Sequence, residues 1–166
     1  MQISSKYFQL TMSGIFLALY IVVMLCTQGF AFGQYQIRIA TALYGLSAIF
    51  PFLIIPSCLA NFLSNMLLGG LGPLDILGGA VVGLLTSGLI VWGKKQGWGN
   101  WIILVAVTLV PGLGVPLWLA VLLDVPYLVL ASSLLVGQLV CGISSMLLVG
   151  ALEKVMLGKH IAMKNL

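Results

Sequence analysis

The sequence predicts an all-α integral membrane protein of six transmembrane helices with both termini in the cytoplasm. Three observations carry that reading. First, 61% of the 166 residues are hydrophobic and 6% charged, with a mean hydropathy of +1.21, whereas a soluble domain carries roughly 25% charged residues. So few charges cannot clothe a water-facing surface. Second, the apolar runs reach membrane length, about 20 residues each, and are separated by Gly- and Pro-rich turns. Third, the basic residues gather at alternate ends of those runs.

The first span runs from about Tyr7 to Thr27 and is followed by the polar stretch Gln28 to Gln36. The second covers about Ile37 to Pro51. Pro51 and Pro56 bound either a tight turn or a broken helix, and the third span follows from about Ser57 to Leu68. Gly69-Gly70-Leu71-Gly72-Pro73 is a loop by composition. The fourth span, about Leu74 to Trp92, ends at Gly93-Lys94-Lys95. The fifth, about Asn100 to Leu123, is interrupted by Pro111-Gly112-Leu113-Gly114-Val115-Pro116. The sixth runs from about Pro126 to Leu152 and leads into a basic tail that holds the one histidine, His160. One domain, residues 1–166, accounts for the whole chain. Lys6, Lys94, Lys95, Lys154, Lys159 and Lys164 fall on one side of this arrangement and only Arg38 on the other, which places the basic side in the cytoplasm of a cell-membrane protein.

Several functions are excluded or disfavoured. No Gly-Lys-Ser/Thr phosphate loop is present, so the chain does not hydrolyse ATP by itself. The net charge of +4 sits at span ends rather than in a patch, which argues against nucleic acid. Cys26, Cys58 and Cys141 stand alone in apolar stretches and form neither a Cys-x-x-Cys pair nor a metal set. The N-terminal run has no good cleavage site and reads as a retained span. No span holds the His or Lys that an intramembrane serine protease needs, and Asp75 and Asp124 stand on separate loops. No enzyme, cofactor or metal is therefore expected. Binding or transport remains.

The polar residues that need explaining are at the outer ends. Arg38 breaks the charge bias, with Gln28, Gln34, Tyr35, Gln36, Thr41 and Tyr44 around it and Asp75 and Asp124 at the same level. Two readings are open: an Arg38–Asp75 or Arg38–Asp124 ion pair that ties outer loops, or a pocket open to the outside. Such a pocket suits a planar, hydrogen-bonding solute: carboxylates accept paired N–H donors, amides donate and accept, and rings stack. Asn61 and Asn65, four apart, share one helix face as interhelical bonds or as ligand contacts, with Asn65 nearer the outer end. Gly14 and Ala18 in the first span, and Gly79 and Gly83 in the fourth, are small-xxx-small faces that permit close helix approach.

Two stretches carry a family resemblance. Gln36-Ile37-Arg38-Ile39-Ala40-Thr41-Ala42-Leu43 resembles the Arg-Ile-Ser-Glu-Ala-Leu motif of the QueT-like family of queuosine-precursor transporters. Leu59-Ala60-Asn61-Phe62-Leu63 followed by Gly72-Pro73-Leu74-Asp75-Ile76 resembles that family's Leu-Ala-Asn and Gly-Pro-Asp-Ile pair. The resemblance implies a substrate-binding S component of an energy-coupling factor (ECF) transporter: a six-helix fold with an outward-facing pocket for a deazaguanine-type base. It also implies partners, namely a transmembrane coupling protein that docks on the small-residue face of Gly14 and Ala18, and two ATPase subunits. From the outer polar cluster, the candidate solute contacts are Arg38, Asp75, Asn65, Gln34 and Gln36, with Tyr35 and Tyr44 as stacking groups and Asn61 and Asp124 beside them. The chain departs from the motif at Ala40 and Thr41, where the family has Ser and Glu. Thr41 cannot supply the charge-assisted bonds of a carboxylate, so either an aspartate takes over or the solute differs, as with members associated with cobalamin. The rival classes are a structural membrane protein without a solute and a self-sufficient secondary transporter. The latter is disfavoured by the lack of repeat symmetry and midplane charges.

Overall fold

A computed structural model describes the backbone of residues 2–31, 37–68 and 71–164, and side chains from residue 5 to residue 156 apart from Phe30 and the two gaps. Among the described residues the chain is helical throughout, and it is an α-helical membrane protein. Helix α1 spans Gln2–Ala31, α2 Ile54–Leu68, α3 Pro73–Lys95, α4 Trp101–Gly114, α5 Pro116–Leu123 and α6 Tyr127–Lys164. Five stretches are long and apolar enough to cross a membrane: Ser5–Gly29, Pro51–Leu68, Pro73–Lys95, Trp101–Leu123 and Tyr127–Met156.

The expected second span takes a different form. Residues Ile39–Ala48 make a 3-10 helix, and a second 3-10 turn, Pro51–Leu53, runs directly into α2. Ten 3-10 residues rise only about 20 Å, short of the roughly 30 Å hydrocarbon core. This segment is the centre of the bundle, packed against α1, α3, α4 and α6. The physical reason is its three-residue period. In a 3-10 helix residues i and i+3 eclipse, so Arg38, Thr41, Tyr44 and Ser47 form one stripe, all buried. Small residues occupy the positions beside it. At Gly45 an added Cβ would run into Ser145 Oγ and lie 3.1 Å from both Ile103 and Val149, so only glycine lets the segment approach α6 this closely. Pro51 bounds a tight turn: the 3-10 helix ends at Ala48, Phe50 is extended, and Pro51 opens the next helical turn, while Pro56 lies in the first turn of α2, where the missing N–H costs little.

Helix α2 shows how the bundle differs from a soluble one. Its buried residues are Pro56, Ser57, Ala60, Asn61, Ser64 and Asn65, whereas Ile55, Leu59, Met66 and Leu67 are exposed. In hydrocarbon the polar groups must face the interior, since lipid offers them no hydrogen bonds. Opposite, α3 supplies room. A Cβ at Gly83 would lie 2.7 Å from the Ser57 carbonyl, and one at Gly79 would lie 2.5 Å from Asn65 Nδ2 and 2.8 Å from Asn61 Oδ1. Gly79 and Gly83 thus serve packing inside the bundle. Helix α1 is peripheral, inserting a stripe of Phe16, Tyr20 and Met24 and its last residue, Ala31. The expected break in the fifth span falls at Val115, between α4 and α5.

The α2–α3 hairpin sets the two ends of the molecule. Lys94 and Lys95 close α3 at the end where Phe8 of α1 meets Phe50 and Phe52. Arg38, Asn65 and Asp75 lie at the other.

Candidate functional site: a buried polar line at one end of the bundle

Four elements deliver this site. Arg38 precedes the 3-10 helix, Asn61 and Asn65 stand one turn apart on the inner face of α2, Asp75 is in the first turn of α3, and Trp118 comes from α5. Arg38, Asn61, Asn65 and Asp75 are each at most 6% exposed. Arg38 NH1 donates to Asn65 Oδ1 at 3.1 Å and points more distantly to Asn61 Oδ1, at 3.5 Å. Asn65 Nδ2 in turn donates to the backbone carbonyl of Asp75 at 3.0 Å. The Asp75 carboxylate accepts from Trp118 Nε1 at 2.9 Å and from Leu71 N at 3.2 Å, so it fixes the end of the preceding loop as well.

Among the described residues, Arg38 and Asp75 make no direct ion pair; the Asn65 amide links Arg38 to the main chain of Asp75 and not to its carboxylate. This weighs against an Arg38–Asp75 pair that ties the outer loops. The line continues inward: Asn61 Nδ2 donates to Tyr44 OH at 2.8 Å, and Tyr44 OH lies 3.0 Å from Tyr20 OH. The two tyrosine rings stack with centroids 5.6 Å apart, so one face of Tyr44 is already engaged by Tyr20.

The remaining sequence candidates fall as follows. Gln34, Tyr35 and Gln36 lie outside the described residues. Asp124 is exposed, at the end of α5 in the left-handed conformation (φ 54°), away from the buried line. Thr41, the departure from the motif, is buried; its Oγ1 donates to the Arg38 carbonyl at 2.7 Å and lies 3.0 Å from Gln138 Oε1 on α6. It therefore positions the Arg38 backbone, with Cys141 Sγ donating to the same carbonyl at 3.3 Å. Gly14 and Ala18 are exposed on the outward face of α1, and nothing lies within 4 Å of a Cβ built on Gly14. Gly14 also lines a cleft of about 470 Å³ between α1 and the start of α2, together with Lys6, Leu10, Leu17, Phe52 and Leu59. Among the described residues no three His, Cys, Asp or Glu side chains group to hold a metal.

Three contributors escaped the sequence reading. Tyr20 and Gln138 are polar side chains in otherwise apolar runs, and that oddity marks them. Trp118 carries no such signal, because tryptophan is ordinary in a membrane helix.

Five helices of membrane length around a buried polar line define a multi-pass α-helical membrane protein, and its family makes it a transporter rather than an enzyme. A family model supplies the particular: the QueT transporter model matches residues 10–154, and the chain belongs to that family. No curated protein and no solved structure matches the chain.

Proposed function

We propose that the chain is the substrate-binding subunit of an ECF-type transporter and captures a deazaguanine-type queuosine precursor from outside the cell. What carries this reading is one buried cluster in which Asn65 accepts from Arg38 NH1 at 3.1 Å and donates to the Asp75 main-chain carbonyl at 3.0 Å, so that a guanidinium and a carboxylate share one sealed region without an ion pair to each other. A structural lock brings the two opposite charges into direct contact, which lowers the cost of burying both. A solute site keeps them apart so that a ligand with donors on one edge and acceptors on another can engage both. The guanine-like edge of a deazapurine has that pattern: its N–H donors suit Asp75 and its carbonyl suits Arg38. Membership of the QueT transporter family supports the same solute class.

Transport is driven by partners, a transmembrane coupling protein and two ATPase subunits, since the chain has no nucleotide site of its own. The exposed Gly14 and Ala18 face is the docking surface for the coupling protein; a face of small residues orders few side chains on contact and so releases readily. The end carrying Lys94 and Lys95 is cytoplasmic, with both termini.

Asp75→Ala abolishes binding of a deazaguanine base to the purified protein while its thermal unfolding stays cooperative. Undiminished affinity in that variant sinks the reading. Gly14→Leu leaves binding intact and stops uptake in cells; an uptake rate equal to wild type contradicts the docking assignment.

A further inference from the structure

Asp75 is buried, and the group covering its Oδ1 is the indole of Trp118. This indole is held twice. Its Nε1 donates to Asp75 at 2.9 Å. Its ring also lies across Gly78, three residues on along the same face of α3, where a Cβ would sit 2.7 Å from Trp118 Cε2. Glycine at 78 is thus what lets the ring lie flat enough for the hydrogen bond. Helix α5 has eight residues, starts at Pro116 after the break at Val115, and ends at Asp124 in the left-handed conformation. Trp118 itself is only part-buried.

We propose that Trp118 competes with the solute for the Asp75 carboxylate, so that α5 is the element displaced when the solute binds. The inference rests on the reading of Asp75 as a solute contact. A carboxylate 3% exposed is reached only by moving one of its covering groups. The indole donor is replaced by the paired N–H donors of the solute, so one charge-assisted hydrogen bond is exchanged for another and the carboxylate is never left bare. The exchange makes affinity a difference between the two claimants and ties solute capture to a movement of α5.

The test titrates the purified full chain with a deazaguanine base and follows tryptophan emission. Trp92, Trp98 and Trp101 pack on one another at the opposite end, with neighbouring centroids 5.2 Å apart, so they give a constant background. Wild-type emission shifts to longer wavelength on binding as the indole leaves Gly78 for a wetter position. Trp118→Phe keeps an aromatic ring on Gly78 but removes the N–H claimant. It tightens the apparent Kd on the order of tenfold, the size of one hydrogen bond to a charged group, and abolishes the emission shift. Gly78→Ala, a substitution a helix accepts well, pushes the ring away and tightens binding in the same direction. Its emission is already shifted before the base is added. Binding that Trp118→Phe leaves unchanged overturns the inference, and so does binding that it weakens, because the indole would then be a solute contact. If wild-type protein binds no deazaguanine base, the proposed function falls and this inference with it. If it binds and the variants match wild type, only this inference falls.

Discussion

The molecule carries two polar clusters, one at each end, and both contain asparagine. At the Lys94 end, Lys94 Nζ meets Glu153 Oε1 at 3.1 Å and Asn100 Oδ1 at 2.7 Å, while Asn100 Nδ2 donates to Glu153 Oε2 at 2.7 Å. There the amide braces a closed ion pair that joins α3 to α6. At the Arg38 end, Asn65 accepts from Arg38 and donates to the Asp75 main chain, while the Asp75 carboxylate accepts from Trp118 Nε1 and Leu71 N instead. The same side chain type braces an ion pair in one cluster and ties a cation to a main-chain carbonyl in the other. A charged group near a membrane surface is therefore no sign of a site; what distinguishes the two is whether the opposite charges touch. Burial runs the same way. The Lys94 and Glu153 side chains are 24% and 33% exposed, so water shares the work, whereas Arg38, Asn61, Asn65 and Asp75 are sealed from it.

Deleting one carboxylate at each end breaks or sharpens that contrast. Asp75→Ala has the largest effect, complete loss of solute binding. Tyr44→Phe comes next. It removes the acceptor of Asn61 Nδ2 and one partner of Tyr20, and a buried group left unsatisfied costs about 1–3 kcal/mol, read as a lowered Tm in detergent. Its loss of affinity is smaller than that of Asp75→Ala, because Tyr44 acts on Asn61 rather than on the solute; equal losses contradict that order. Glu153→Ala is the smallest. A partly exposed pair contributes up to about 1 kcal/mol, so Tm falls slightly and the affinity for the base is unchanged. A binding defect in Glu153→Ala as large as that of Asp75→Ala erases the distinction between the clusters.

Much of this was legible in the sequence. Composition gave the membrane class, and turn chemistry located α3, the α4–α5 break and the start of α6 to within a few residues, because lipid leaves the backbone few alternatives to helix. Arg38 was legible as a breach of the charge bias, and Asn61 and Asn65 as one face. The helix type of the second apolar segment was harder to read, because its apolar content fits either kind. The three-residue recurrence of Arg38, Thr41, Tyr44 and Ser47 was the available signal for 3-10 geometry. The separation of Arg38 from Asp75 was not legible, since it depends on how α2 settles against Gly79 and Gly83. Nor was Trp118, whose contact with Asp75 spans 43 residues and follows no periodicity.

Whether Arg38 and Asp75 hold the solute is read from mass spectrometry of the small molecule that leaves the detergent-purified protein on heating. Wild type and Asp75→Ala are compared side by side. Wild type releases the mass of a deazaguanine base and the variant releases none. The same mass in equal amount from both, or a cobalamin-sized mass from wild type, rules out that role for Asp75.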